Sequence, residues 1–177
     1  MVKFASRLAL LFLLPLCACT AAPQVQQASS FAAPAEQRVL YVVPFVTVLV
    51  PYEVEEGIFD RFVDALNAAE DGLDHEFVIL KEGAEVIDPA WLAQQAYLTG
   101  EVYGYVEERG CCSTSIRVKS RLQLHQPGEE APTLRIDYPR EVFFDHDRTT
   151  VEEERRKLAD DIASTLARRL LDALRPD

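Results

Sequence analysis

The chain of 177 residues carries 29 acidic against 18 basic side chains, a net charge of −11, and 49% of it is hydrophobic. That length fits one domain with room for a tail. Nine Phe and a charged fraction of 27% point to a packed core rather than wholesale disorder. So acidic a chain, without a dense Lys/Arg cluster, repels a phosphate backbone, which excludes nucleic-acid binding.

Lys3 and Arg7 precede the apolar run Leu8 to Leu16. The run is well short of the roughly 20 residues a spanning helix needs, and its setting is that of a secretory signal. At its exit, Leu16-Cys17-Ala18-Cys19 resembles the bacterial lipobox: a Leu three positions before, a small residue one before, and then an obligatory Cys. Cys17 stands where Ala, Ser, Thr or Val is usual. The resemblance implies a lipoprotein signal peptide over 1–18 and acylation of Cys19, which becomes the mature amino terminus. The alternative is an ordinary signal peptide cut near Ala22, with Cys19 incidental. Loss of Lys3 and Arg7 leaves 16 basic against 29 acidic residues, a net of −13. Each buried methylene contributes about 0.8 kcal/mol, so several acyl chains anchor almost permanently where one would not. Thr20 follows the Cys in place of the Asp that retains many such lipoproteins at the inner membrane, which implies an outer-membrane protein, lipid-anchored and facing the periplasm.

Residues 19–37 are rich in Ala, Gln, Ser and Pro and read as an acylated Cys followed by a disordered tether, with a span of about 24 Å as a flexible coil. The folded domain is expected over 38–177. Residues 38–46 form a nearly continuous apolar run that suits a covered strand, ended by Pro44. Ile58, Phe59, Phe62, Val63, Leu66 and Ala69 share one face of a helix over 55–70, which Asp71-Gly72 stops. A short strand follows over 76–80. Asp88 and Pro89 then make a helix start, and Trp91 packs that helix on the sheet. Residues 97–107 and 115–125 each alternate, and the small residues between them make a hairpin. Pairing Val106 with Ile116 puts both apolar rows on one face and opposes Tyr105 to Arg117, Tyr103 to Lys119 and Glu101 to Arg121 on the other. A further strand runs from 133 to about 144. Thr150 and Glu153 form a capping box opening a long helix through Leu158, Ile162, Leu166, Leu170 and Leu174. The fold class is α+β: a two-layer sandwich with a mixed sheet of about five strands, helices on one face, in the order βαβαβββα.

The strand end Val42-Val43-Pro44-Phe45, a helix, a short strand, then Leu98-Thr99-Gly100-Glu101-Val102 and a closing amphipathic helix resemble a family of bacterial envelope lipoproteins. That family includes the curli secretion lipoprotein, the penicillin-binding-protein activator lipoproteins and the amino-terminal domain of TolB. The match covers residues 39–174 in element order through motifs of a few residues, and the loop 47–56 departs from the family's Asn/Ser-rich one. The resemblance implies a noncatalytic protein, bound to the membrane by its lipid, that binds an envelope protein or self-associates. A similar order occurs in auxiliary lipoproteins of ABC-type lipid transport systems, which is the alternative.

Among candidate sites, the row Tyr103, Tyr105, Arg117, Lys119 and Arg121 is explained without function as a solvated sheet face with cross-strand salt and cation–π pairs; the functional alternative is a partner-binding surface, since the row offers aromatic anchors and local positive charge on an acidic body. Cys111 and Cys112 are a possible redox pair. Their Cα atoms, about 3.8 Å apart across one peptide, lie below the disulfide range, so a bond between them is strained. Asp145-His146-Asp147 reads as a solvated loop, and His75 and His125 are isolated. No Ser-His-Asp arrangement, Gly-rich phosphate loop or HExxH spacing occurs. No enzyme activity, cofactor, metal or small-molecule ligand is expected.

Overall fold

The structure is a computed structural model that describes residues 22–32, 38–69 and 75–175. Cys17, Cys19 and the Asp71-Gly72 helix stop lie outside the described residues. In chain order the elements are β1 (Gln24–Gln27), β2 (Val39–Val42), β3 (Val46–Thr47), α1 (Tyr52–Asn67), β4 (Glu76–Ile79), α2 (Pro89–Leu92), β5 (Tyr97–Arg109), β6 (Ser113–His125), β7 (Leu134–Asp145) and α3 (Val151–Leu174). The strands make one mixed sheet of seven, ordered β1-β7-β6-β5-β2-β4, with β3 beside β5. The strands β2, β3 and β4 enter by parallel pairing, while β5, β6, β7 and β1 are antiparallel.

The apolar faces meet where their periods require. Val54, Ile58, Phe62 and Leu66 of α1 and Leu158, Ile162, Leu166 and Leu170 of α3 are buried against Leu40, Val42, Leu98, Val102, Ile116, Leu122, Leu124 and Ile136 of the sheet. Asp88 caps α2 by accepting from Ala90 N (2.9 Å), and Thr150 caps α3 by accepting from Glu153 N (3.1 Å). Pro44 separates β2 from β3, and the ring of Phe45 beyond it lies where a side chain on Gly100 would go: an added Cβ would stand 2.1 Å from that ring. Phe59 and Phe62 enclose the ring from α1, at centroid distances of 5.6 and 5.1 Å. The Pro-Phe and Thr-Gly motifs are thus two halves of one contact.

Four expectations change. The sheet has seven strands rather than five, because β1 and β3 add pairings that carry little local signal. The helices do not all share one face. Trp91 of α2 meets Tyr41 edge-on at 5.0 Å, and Tyr41 alternates with buried Leu40 and Val42, so α2 covers part of the other face. The expected tether is in part a strand: Gln24–Gln27 pair with Asp137–Leu134, Ala28 N donates to Thr133 O (2.8 Å), and Phe31 packs on the core. The hairpin register also differs from the expected one beyond Tyr103.

Candidate interaction surface

The β5–β6 hairpin is regular up to Tyr103, which faces Lys119, and resumes at Val106, which faces Arg117. Between them lies a bulge containing Gly104 at φ +62°, a conformation that glycine adopts without steric cost. The extra residue reverses which side chains point to the helices. Val106 turns outward, and Tyr105 and Glu107 turn inward. Glu107, with a side chain 9% exposed, accepts from Tyr105 Oη (2.7 Å) and from Arg155 of α3 through Nε (3.1 Å) and Nη2 (2.9 Å), all at Oε2. Arg109 Nε donates to its other oxygen. Burial pushes this carboxyl up, and the Tyr105, Arg109 and Arg155 donors together outweigh it, so Glu107 ionises below its ordinary value. Burial, and secondarily Glu107, pushes the Tyr105 phenol up to about 12. Tyr105 is therefore a packing residue, and the expected five-residue row loses its central member to the core side.

The other four stay on the open face. Arg121 donates to Asp137 (2.8 Å) and Tyr103 Oη (2.9 Å), and its Nη1 stands 3.5 Å from Glu101. Arg135 donates to the second oxygen of Asp137 (2.7 Å). Burial raises the Asp137 carboxyl, but the two guanidiniums hold it below the carboxylate range. Arg117 pairs with Glu108 (2.7 Å). Tyr97 stacks on His125 at 4.5 Å, and burial lowers the His125 pKa. The positive charge of the row is thus largely compensated within the face; among the described residues Lys119 alone of its cations forms no ion pair.

Two free strand edges stand beside this face. Among the described residues, β1 covers β7 only at 134–137, and β2 and β3 reach β5 no further than Val102, to which Val48 N donates. Bonds inward to β6, His146 N to Cys112 O and Gly110 N to Ser113 O, fix the alternation of the ladders. Glu141, Phe143 and Asp145 then point their backbone groups outward from β7, and Tyr105, Glu107 and Arg109 point theirs outward from β5. Pro139 occupies an outward position, where its missing N–H costs no internal bond. Exposed apolar residues accompany the edges. Phe143 is 68% exposed on β7, Val106 is exposed on β5, and Val46, Val48, Tyr52 and Leu49, 92% exposed at φ 55°, lie in and beyond β3.

The remaining candidates are local. The hairpin turn holds Cys111 and Cys112, both free and exposed, with Sγ atoms 3.1 Å apart; the Cys111 sulfur, burial and Asp145 together raise the Cys112 thiol. His146 Nε2 and Thr114 Oγ1 are 2.8 Å apart, which ties the end of β7 to β6. His75 is buried. No group of three His, Cys, Asp or Glu among the described residues could hold a metal ion. A cleft of about 480 Å³ between α1 and α3 is lined by Arg61, Asp64, Ala65, Asp160, Asp161 and Ser164, where Arg61 pairs with Asp160 (3.2 Å) and Arg140 with Asp161 (2.7 Å). No helix among the described residues is long and apolar enough to cross a membrane.

No protein-family model matches the chain, and no curated protein does either. Among solved structures, a PelC dodecamer from Paraburkholderia phytofirmans is similar with a TM-score of 0.52 at 16% identity, over 82% of this chain and 98% of that one. Lipoprotein GNA1162 from Neisseria meningitidis is similar at 0.43 and 12% identity, over 76% and 98%. Rare lipoprotein B from Shewanella oneidensis is similar at 0.38 and 14% identity, over 76% and 97%. The PelC likeness shows a shared fold.

Proposed function

We propose that this chain is a noncatalytic outer-membrane lipoprotein, acylated at Cys19, whose periplasmic domain joins further copies of itself through the free edges of β5 and β7. The observation that carries the reading is the match between those edges. Both strands run antiparallel to β6 and so in the same direction, and each offers three outward residues at two-residue spacing. Copies that keep one orientation about an axis can therefore lay β7 of one beside β5 of the next as a parallel pair. Such a head-to-tail contact closes into a ring when the rotation permits. The PelC structure is a dodecamer, which supports a closed assembly on this fold.

Hydrogen bonds contribute only about 1 kcal/mol each after exchange with water, so the ladder alone does not hold two copies together. Phe143 on one side and Val106, Val48 and Leu49 on the other supply the apolar surface that pairing would cover. The bulge in β5 and Pro139 in β7 limit each ladder to a few residues, a device that guards against open-ended edge pairing. The α1–α3 cleft does not suit the acyl chain that the lipid-transport alternative needs, because its lining of carboxylates and an arginine would be desolvated.

A photoreactive amino acid at Glu141, exposed on β7, tests the reading in intact cells. The expected product has twice the chain's mass and is joined at residues 105–109. Crosslinks only to a different protein, or none, would contradict self-assembly.

A further inference from the structure

Cys111 and Cys112 belong neither to the core nor to the free edges. Both are free and exposed, with Sγ atoms 3.1 Å apart, about 1 Å beyond the length of a disulfide bond. The backbone holds them there. Gly110 N donates to Ser113 O across the turn (2.8 Å), and Cys112 O accepts from His146 N (2.9 Å). The His146 ring is itself placed by Thr114, with Nε2 and Oγ1 2.8 Å apart. Two sulfurs kept within reach of each other react as a unit, because the second step of disulfide exchange is then intramolecular.

The surroundings narrow what the pair can do. A bound metal ion needs further ligands, and no group of three His, Cys, Asp or Glu among the described residues could supply them. A bridge between neighbouring copies is out of reach in the proposed assembly, where three strands separate one turn from the next, about 14 Å at the usual strand spacing. A bond between the two sulfurs of one chain remains. Its cost lies in the adjacent Cα atoms, about 3.8 Å apart where disulfides span roughly 4.4 Å or more. A strained, exposed disulfide is also the kind that is readily reduced again. The ring it closes contains the Cys111–Cys112 peptide, so closure moves the backbone of the turn. Cys112 O, the acceptor that fastens the end of β7 to β6, moves with it.

We propose that Cys111 and Cys112 are a reversible thiol–disulfide site whose oxidation loosens the end of β7 from the hairpin turn. The oxidant is a disulfide. One Cys thiolate attacks it, forms a mixed disulfide and expels one thiolate of the oxidant. The other Cys thiolate then attacks the sulfur of its neighbour, closes the intrachain bond and expels the second thiolate. Two electrons pass to the oxidant, and the two thiol protons end on its thiolates. An excess of reduced thiol reverses both steps. The chemistry requires neither the lipid anchor nor self-assembly.

The mature chain with Cys19→Ser has these two thiols only. It is equilibrated with oxidised glutathione, quenched with acid, labelled with maleimide and digested with trypsin. Both sulfurs lie in the peptide 110–117, between Arg109 and Arg117. The expected product is that peptide two hydrogens lighter, unlabelled, from a single chain, and returned to the dithiol by excess reduced glutathione. A peptide that stays a labelled dithiol, keeps bound glutathione or is linked to a second chain would overturn the site. Amide exchange at His146 reads the loosening of β7. It should quicken about tenfold on oxidation, and the same treatment should leave it unchanged in a chain with Cys111→Ser and Cys112→Ser. Equal exchange in the oxidised and reduced chains would overturn the coupling to β7.

Discussion

Two side-chain contacts concentrate the energetics of the fold. A Cβ on Gly100 would stand 2.1 Å from the Phe45 ring, so Gly100→Ala should destabilise by about 2 kcal/mol through overpacking. Phe45→Leu should recover part of that loss, and a double-mutant cycle by denaturant unfolding measures the coupling. Additive losses would mean that the ring moves aside freely. The second contact is Arg155 with Glu107, whose side chains are 13% and 9% exposed. Arg155→Met leaves Glu107 with Tyr105 and Arg109 only, and should cost about 2 kcal/mol, somewhat less than a fully orphaned buried charge. The Glu107 carboxyl ionises below its ordinary value. Its contribution is therefore complete above the ordinary glutamate value of about 4.3 and is lost as pH falls through the lowered one. Stability of Glu107→Gln should accordingly fall less steeply on the acid side than that of the native chain. Tyr105 has the opposite sense: its phenol is raised to about 12, so its contribution is intact below about pH 10 and is lost as pH rises to about 12. Equal acid slopes for the native chain and Glu107→Gln would show that the carboxyl is not held by these donors.

Strand β1 decides how much of the molecule folds as a unit. A chain starting at Glu36 lacks the four-residue ladder to β7, the Ala28 to Thr133 bond and the packing of Phe31. Its melting temperature should drop by about 5 °C relative to a chain starting at Ala22, from a loss of about 2 kcal/mol. Coincident thermal transitions would mean that residues 22–32 add nothing to the fold. The same strand marks where sequence reading stops. The alternation of β6 and of β5 as far as Tyr103, the apolar stripe of α1 and the capping box of α3 are local signals, and those elements form within about three residues of where the signals place them. Gln-Val-Gln-Gln has no apolar row, because its pairing energy comes from an edge more than a hundred residues away in the chain. The bulge lies between these cases. An isolated Gly inside a strand pattern signals one, and Gly104 is such a residue. An unbroken period of two through Gly104 puts Tyr105 on the open face and Val106 among the core residues, and the bulge exchanges them. The exposure of Phe143 has no signal of its own, since an apolar residue on an alternating strand looks the same whether or not a neighbouring strand covers its edge.

At the scale of the whole molecule, one three-stranded arm, β5 to β7, projects past the strands that flank it and, among the described residues, carries a free edge on each side. Strand β1 covers the β7 edge at 134–137 and leaves the part from Pro139 to Asp145 for the proposed pairing between copies. Glu141→Pro removes an outward donor of β7 without touching a bond to β6, so it should block pairing between copies while leaving the fold of each intact. The most direct measurement is the mass by sedimentation equilibrium of the mature chain with Cys19→Ser, with and without Glu141→Pro, over a wide concentration range. Self-assembly through the edges predicts a concentration-dependent multiple of the chain mass that Glu141→Pro returns to the monomer with little change in melting temperature. A native chain that stays monomeric throughout, or a multimer that Glu141→Pro leaves intact, would contradict it.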